Sequence, residues 1–85
     1  LYILNDYNDR NTVVAHLSLD HNERALELLA TMPKDAITEY LKAIACSRLG
    51  CKAEGRKHFL EACRLDERME YRGNLDPEIA ELLKR

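Results

Sequence analysis

Three cysteines and three histidines are the side chains best suited to chemistry in this 85-residue chain. Cys46, Cys51, Cys63 and His58 are residue types that hold zinc, but no two cysteines stand at the Cys-x-x-Cys spacing of a zinc knuckle. Cys46 and Cys63 fall on the apolar stripes of helical patterns, where a free cysteine packs as a small hydrophobe. Cys51 stands at a turn with Lys52 as its only obvious activator, which is not the surrounding of a reactive thiolate. His16, His21 and His58 have no serine or cysteine at a recognisable nucleophile spacing. The chain has no Gly-rich phosphate loop and no His-Glu-x-x-His. Its many carboxylates belong to helix faces expected to be solvated. These residues predict a protein that is not an enzyme, with no metal and no cofactor.

The elements that would carry them read as helices. Ile37, Tyr40, Leu41, Ile44, Ala45 and Leu49 recur at the three-and-four spacing of one helical stripe. Ala36, Ala43 and Cys46 add a second stripe of small residues, so this helix is expected to be covered on two sides. Asp35 is placed to cap it, because a carboxylate there accepts a backbone N–H of the first turn. Gly50 supplies the left-handed conformation that ends a helix. A second helix follows, with Ala53, Phe59, Leu60, Ala62, Cys63 and Leu65 expected inward, and Gly55 marks a close approach of the facing helix.

Upstream, a helix is expected over Asp6 to Ser18, capped by Asn5 or Asp6, and a second over Glu23 to about Thr31, stopped by Pro33. Leu19 to Asn22 is the turn between them. Sliding the chain by thirty residues lays Val13 on Ala43, Val14 on Ile44, Leu19 on Leu49, Asp20 on Gly50, Ala25 on Gly55 and Leu29 on Phe59. Downstream, residues 69–75 read as a polar link. Asp76-Pro77-Glu78 then opens a last helix: Asp caps, Pro lacks only an N–H that would have no partner, and Glu suits the positive helix end. This helix, residues 76–85, is expected to cover Phe59, Cys63 and Leu65, with Glu78, Glu81, Lys84 and Arg85 outward.

Ala43, Leu49-Gly50, Gly55, Phe59, Ala62 and Leu65-Asp66 resemble the tetratricopeptide repeat, a helix pair of about 34 residues. The chain departs from that pattern at Glu39, where the family has Trp or another large residue, and at Lys42, Cys46 and Glu67, where it has Leu, Tyr and Pro. The resemblance implies an all-α, right-handed stack of antiparallel helix hairpins. Residues 6–33 would form a degenerate repeat, 35–68 a better-matched one and 76–85 a cap, about five helices in all. It further implies a concave face on the first helix of each pair, holding an extended or helical peptide. Carried onto this chain, that face comprises Tyr7, Arg10, Val14 and Leu17 from the first unit and Ile37, Tyr40, Ile44, Ser47 and Arg48 from the second. A partner's apolar side chains would lie between Tyr7, Tyr40 and Ile44, with Arg10 and Arg48 fixing orientation. The alternative is that Val14, Leu17, Ile37 and Ile44 are core, packed against helices of the parent protein that lie outside this sequence. The subfamily that clamps a C-terminal carboxylate is disfavoured, since Val14 and Ile44 stand where its asparagines would be.

Bulk properties agree with this class. The chain is 46% hydrophobic and 33% charged, with three Gly and two Pro, a mixture that favours ordered helix over disorder. A domain of this size buries only about 60–65% of its unfolded surface, so its stability margin is thin. No apolar run approaches the ~20 residues of a membrane span, and no signal-peptide pattern is present. The net charge of −2 and pI near 5.9 argue against a basic sheath tracking nucleic-acid phosphates. An odd cysteine count without paired spacing argues against a disulfide framework. Because the chain begins at Leu1, it is expected to be the C-terminal end of a longer helical-repeat protein. The expected function is a protein–protein interaction or scaffolding module that binds a protein or peptide segment. The competing expectation is a structural cap or homodimer formed through the apolar Leu1–Leu4 segment.

Overall fold

Tyr40 and Leu41, neighbours in sequence, belong to two different hydrophobic cores, and that division organises the fold. The computed structural model describes residues 10–83, the side chain of Arg10 excepted. Among the described residues there are six helices: α1 (Arg10–Ser18), α2 (Asn22–Ala30), α3 (Ala36–Arg48), α4 (Lys52–Leu65), α5 (Arg68–Asn74) and α6 (Pro77–Leu83). The architecture is all-helical. Leu1–Leu4, the Asn5 or Asp6 cap, Tyr7, Lys84 and Arg85 lie outside the described residues.

The central helix α3 starts where its sequence directs. Asp35 is extended, and its Oδ1 accepts the backbone N–H of Thr38 at 2.7 Å. One face of α3, through Leu41 and Ala45, closes a core with Val13, Leu17, Ala25, Leu28 and Leu29 of α1 and α2. The opposite face, through Tyr40 and Ala43, closes a second core with Phe59, Ala62, Met69, Ile79 and Leu82. The helix is covered on two sides, as expected, but the cores divide the expected first stripe: Leu41 and Ala45 face one core, while Tyr40 and Ile44 join Ala36 and Ala43 at the other.

The α1–α2 and α3–α4 turns share one backbone design. The N–H of His21 reaches the carbonyl of His16 at 2.8 Å, and the N–H of Cys51 reaches that of Cys46 at 2.8 Å. The next helix then opens alike, Ala25 N–H to His21 O and Gly55 N–H to Cys51 O, each at 2.9 Å. Both turns need a positive φ, 60° at Asp20 and 83° at Gly50. Glycine takes that conformation without a Cβ clash, and aspartate is among the few side chains that tolerate it. Helix α2 ends at Ala30, ahead of Pro33, with the Thr31 hydroxyl donating to the carbonyl of Leu28 at 2.8 Å.

Helices α3 and α4 run antiparallel. Glu39 meets His58 near one end of the pair, and the carbonyl of Ala43 faces Gly55 nearer the other. A Cβ on Gly55 would stand 3.2 Å from that carbonyl and 2.9 Å from Leu82 Cδ1, so the close approach expected at this glycine is present. Leu60 and Leu65, expected inward, are exposed at 63% and 40%; the buried side of α4 narrows to Gly55, Phe59 and Ala62.

The stretch expected as a polar link is a helix. Asp66 Oδ1 accepts the N–H of Arg68 at 3.0 Å and starts α5, which buries Met69 and Gly73 on one side. Gly73 is in direct contact range of the Phe59 ring, since a Cβ there would lie 2.4 Å from Phe59 Cε1. Tertiary packing thus stabilises a seven-residue helix that is too short to persist alone. The expected five helices become six among the described residues. Helix α6 then folds across α3 and α4, burying Ile79 and Leu82 with Phe59. Arg56 Nε donates to the carbonyl of Leu82 at 3.0 Å, a cation placed on the negative end of α6. The cap therefore covers Phe59, and Cys63 packs partly against the same core, but Leu65 is left to solvent.

Candidate functional site

The face expected from the first helix of each pair is partly internal. Val14 is 48% exposed and Ile37 36% exposed, while Ile44 and Ser47 are half-buried. Leu17, at 7% exposure, belongs to the first core. Tyr40, at 1%, belongs to the second. The side chains of Tyr7 and Arg10 lie outside the described residues.

Tyr40 is buried because α5 and α6 return over it. Its hydroxyl donates to Asp76 Oδ2 at 2.7 Å, the Phe59 ring meets it edge-on with centroids 6.2 Å apart, and the Arg72 guanidinium lies 5.0 Å from its ring centroid. Burial, and then the Asp76 carboxylate, hold its phenol protonated well above the ordinary tyrosine range. A side chain so enclosed cannot receive a partner's apolar groups, so the expected pocket between Tyr7, Tyr40 and Ile44 is not formed around Tyr40.

Arg48 is likewise committed within the chain. Its Nη1 donates to the carbonyl of Leu17 at 2.7 Å, and its Nε donates to Glu78 Oε1 at 2.9 Å. Asp20 stands 3.7 Å from the same guanidinium. The planar fork of arginine joins the end of α1 to the start of α6 through α3. Arg48 thus holds three helices of the chain together.

On another side of α3 lies a cleft of about 320 Å³. Leu26 and Ala30 of α2 form its apolar wall, Lys42 and Cys46 of α3 its second side, and Cys51, Glu54 and His58 its third. Beside it, Glu39 is buried to 4% exposure, and its Oε2 pairs with His58 Nδ1 at 2.7 Å. Lys42 Nζ stands 3.8 Å from the other carboxylate oxygen. A carboxylate held away from water needs such partners.

The three cysteines are free thiols: Cys46 buried, Cys51 exposed and Cys63 half-buried. Burial pushes the Cys46 thiol up, with the neighbouring Cys51 and Glu54 adding to the effect, and burial pushes Cys63 up as well. Among the described residues no three His, Cys, Asp or Glu side chains converge as metal ligands would, and no helix is long and apolar enough to cross a membrane. Neither the Glu39–His58 pair nor the backbone bond that brings Cys51 to Cys46 follows from residue types alone. The signal for the second was Gly50 between the two cysteines, since the turn it closes brings their positions together.

Compared with known proteins, the chain matches no family model, and no curated protein or solved structure gives a significant match.

Proposed function

We propose that this chain is a non-catalytic helical interaction module, a right-handed stack similar to tetratricopeptide repeats. It binds a protein or peptide segment across the accessible side of α1 and α3. The observation that carries the reading is the pair of matching turns: two successive helix pairs close with the same hydrogen bonds, thirty residues apart. Helix pairs that repeat in this way stack by burying each other's apolar sides, and their first helices are left facing a common surface. The first helix of each pair keeps one large apolar side chain accessible, Val14 and Ile37. Ile44 and Ser47 share α3 with Ile37, while Tyr40 and Arg48 tie α3 to the helices around it.

Peptide display against the folded chain tests this. Peptides enriched on the wild type should bind the Val14→Asp/Ile37→Asp variant at least ~10-fold more weakly, the effect of losing central apolar anchors. They should bind a Tyr71→Ser/Leu75→Ser variant unchanged. Equal binding by both variants would refute the assignment of the face. A chain that enriches no peptide and sediments as a tight dimer would instead be the structural or self-associating domain.

A further inference from the structure

Two cysteines occupy the positions that the α3–α4 turn brings together, and the structure itself shows what such positions do. In the equivalent α1–α2 turn, the side chains at the same two positions meet: His16 Nδ1 and His21 Nδ1 are 3.3 Å apart, with ring centroids 5.5 Å apart. The backbone bond that closes the two turns is the same and equally long, 2.8 Å from the N–H of the second residue to the carbonyl of the first. This bond also limits the separation of the cysteine Cα atoms. The path from one Cα through the carbonyl and the hydrogen bond to the other is at most about 7 Å long, and it bends at the oxygen. That is the reach of a disulfide, whose Cα atoms lie about 4.4–6.8 Å apart. Both residues line the same cleft, Cys51 exposed and Cys46 buried.

We propose that Cys46 and Cys51 form a reversible disulfide across the turn between α3 and α4, made and broken by exchange with small disulfides of the glutathione class. Cys51 reacts first because it is the exposed thiol of the pair, although its neighbours in sequence do not mark it as activated. Its thiolate attacks one sulfur of glutathione disulfide, forming a mixed disulfide and releasing one glutathione thiolate. Deprotonated Cys46 then attacks the Cys51 sulfur and releases the second glutathione. The two protein thiols lose two electrons and two protons, and glutathione disulfide gains them as two thiols. Cys46 is the resolving thiol because burial keeps external disulfides away from it. The bond removes both thiols from the wall of the cleft and ties the start of α4 to the last turn of α3. It is independent of the peptide-binding reading.

The test equilibrates the folded wild-type chain in glutathione buffers, traps free thiols by alkylation and maps the products. Free thiols should fall from three to one, with Cys63 the one left. Trypsin cuts after Lys42, Arg48 and Lys52, so the oxidised chain should yield residues 43–48 joined to residues 49–52. The equilibrium constant for closure should be at least ~10-fold greater in the folded chain than in guanidinium, because the turn holds the thiols together. Cys63→Ser should leave the result unchanged, and Cys46→Ser should stop at glutathione on Cys51. Three free thiols in the most oxidising buffer, a lasting glutathione adduct on wild-type Cys51, a bond to Cys63, or equal closure in guanidinium would each overturn the proposal.

Discussion

The hydroxyl of Tyr40 donates a 2.7 Å hydrogen bond to Asp76 Oδ2, across thirty-six positions of sequence. The other oxygen of that carboxylate accepts the N–H of Glu78 at 2.9 Å, so one side chain both starts α6 and moors it to the middle of α3. The C-terminal third of the chain is thereby fastened to the helix that divides the two cores.

Removing the hydroxyl with Tyr40→Phe should cost about 1–2 kcal/mol, since Asp76 is half-buried and water can replace the lost donor. Asp76→Ala should cost more, because the start of α6 is lost as well. Urea midpoints measure both. The variants also separate in alkali. The folded chain holds the Tyr40 proton above the ordinary value of 10.0, so this contribution is complete below that pH and is lost as pH rises beyond it. Tyr40→Phe should flatten the fall in stability above about pH 10, leaving the part due to the buried thiols.

His58→Ala strips Glu39 of its 2.7 Å partner and leaves a buried carboxylate with Lys42 at 3.8 Å. The expected loss is about 1–3 kcal/mol. Adding Glu39→Leu to that variant should recover part of the loss, because an apolar side chain needs no partner there. A double-mutant cycle from thermal or urea melts reads the coupling; additive losses would show that the pair is not coupled.

The glycines should rank by what a methyl group would meet. Gly73→Ala drives a carbon into the Phe59 ring and to 3.0 Å from Ile79, an overpacking that costs about 1–3 kcal/mol or more. Gly55→Ala meets the buried Leu82 at 2.9 Å and the backbone carbonyl of Ala43 at 3.2 Å, and its helix-propensity gain of up to ~1 kcal/mol offsets part of the strain. Gly50→Ala meets no atom but must hold a φ of 83°, costing about 1–2 kcal/mol. Denaturation midpoints should therefore fall most for Gly73, where the added carbon is most crowded.

What was legible in the chain was local chemistry. Asp35 caps, Gly50 turns, Pro33 follows a finished helix, and Gly55 marks a close approach; each acts within a few residues or through a missing atom. Helix α5 escaped notice because its stretch is polar and carries a glycine. Its apolar content is Met69 and a gap at Gly73 that only the Phe59 ring explains. The expected face of the first helices is partly internal for a related reason. A stripe of Ile37, Tyr40 and Ile44 reads the same whether it faces a partner or the returning end of its own chain, and Asp76 with Arg72 decides that Tyr40 faces inward. Glu39 and His58 lie nineteen residues apart on facing helices, a separation that no local pattern encodes.

The shared turn works as a mount whose fittings are interchangeable. One backbone path closes both turns, and the letters at the two places it brings together choose the chemistry. Here it carries imidazoles once and thiols once. Transplanting either pair into the other location would move its side-chain chemistry along the molecule without redrawing its course.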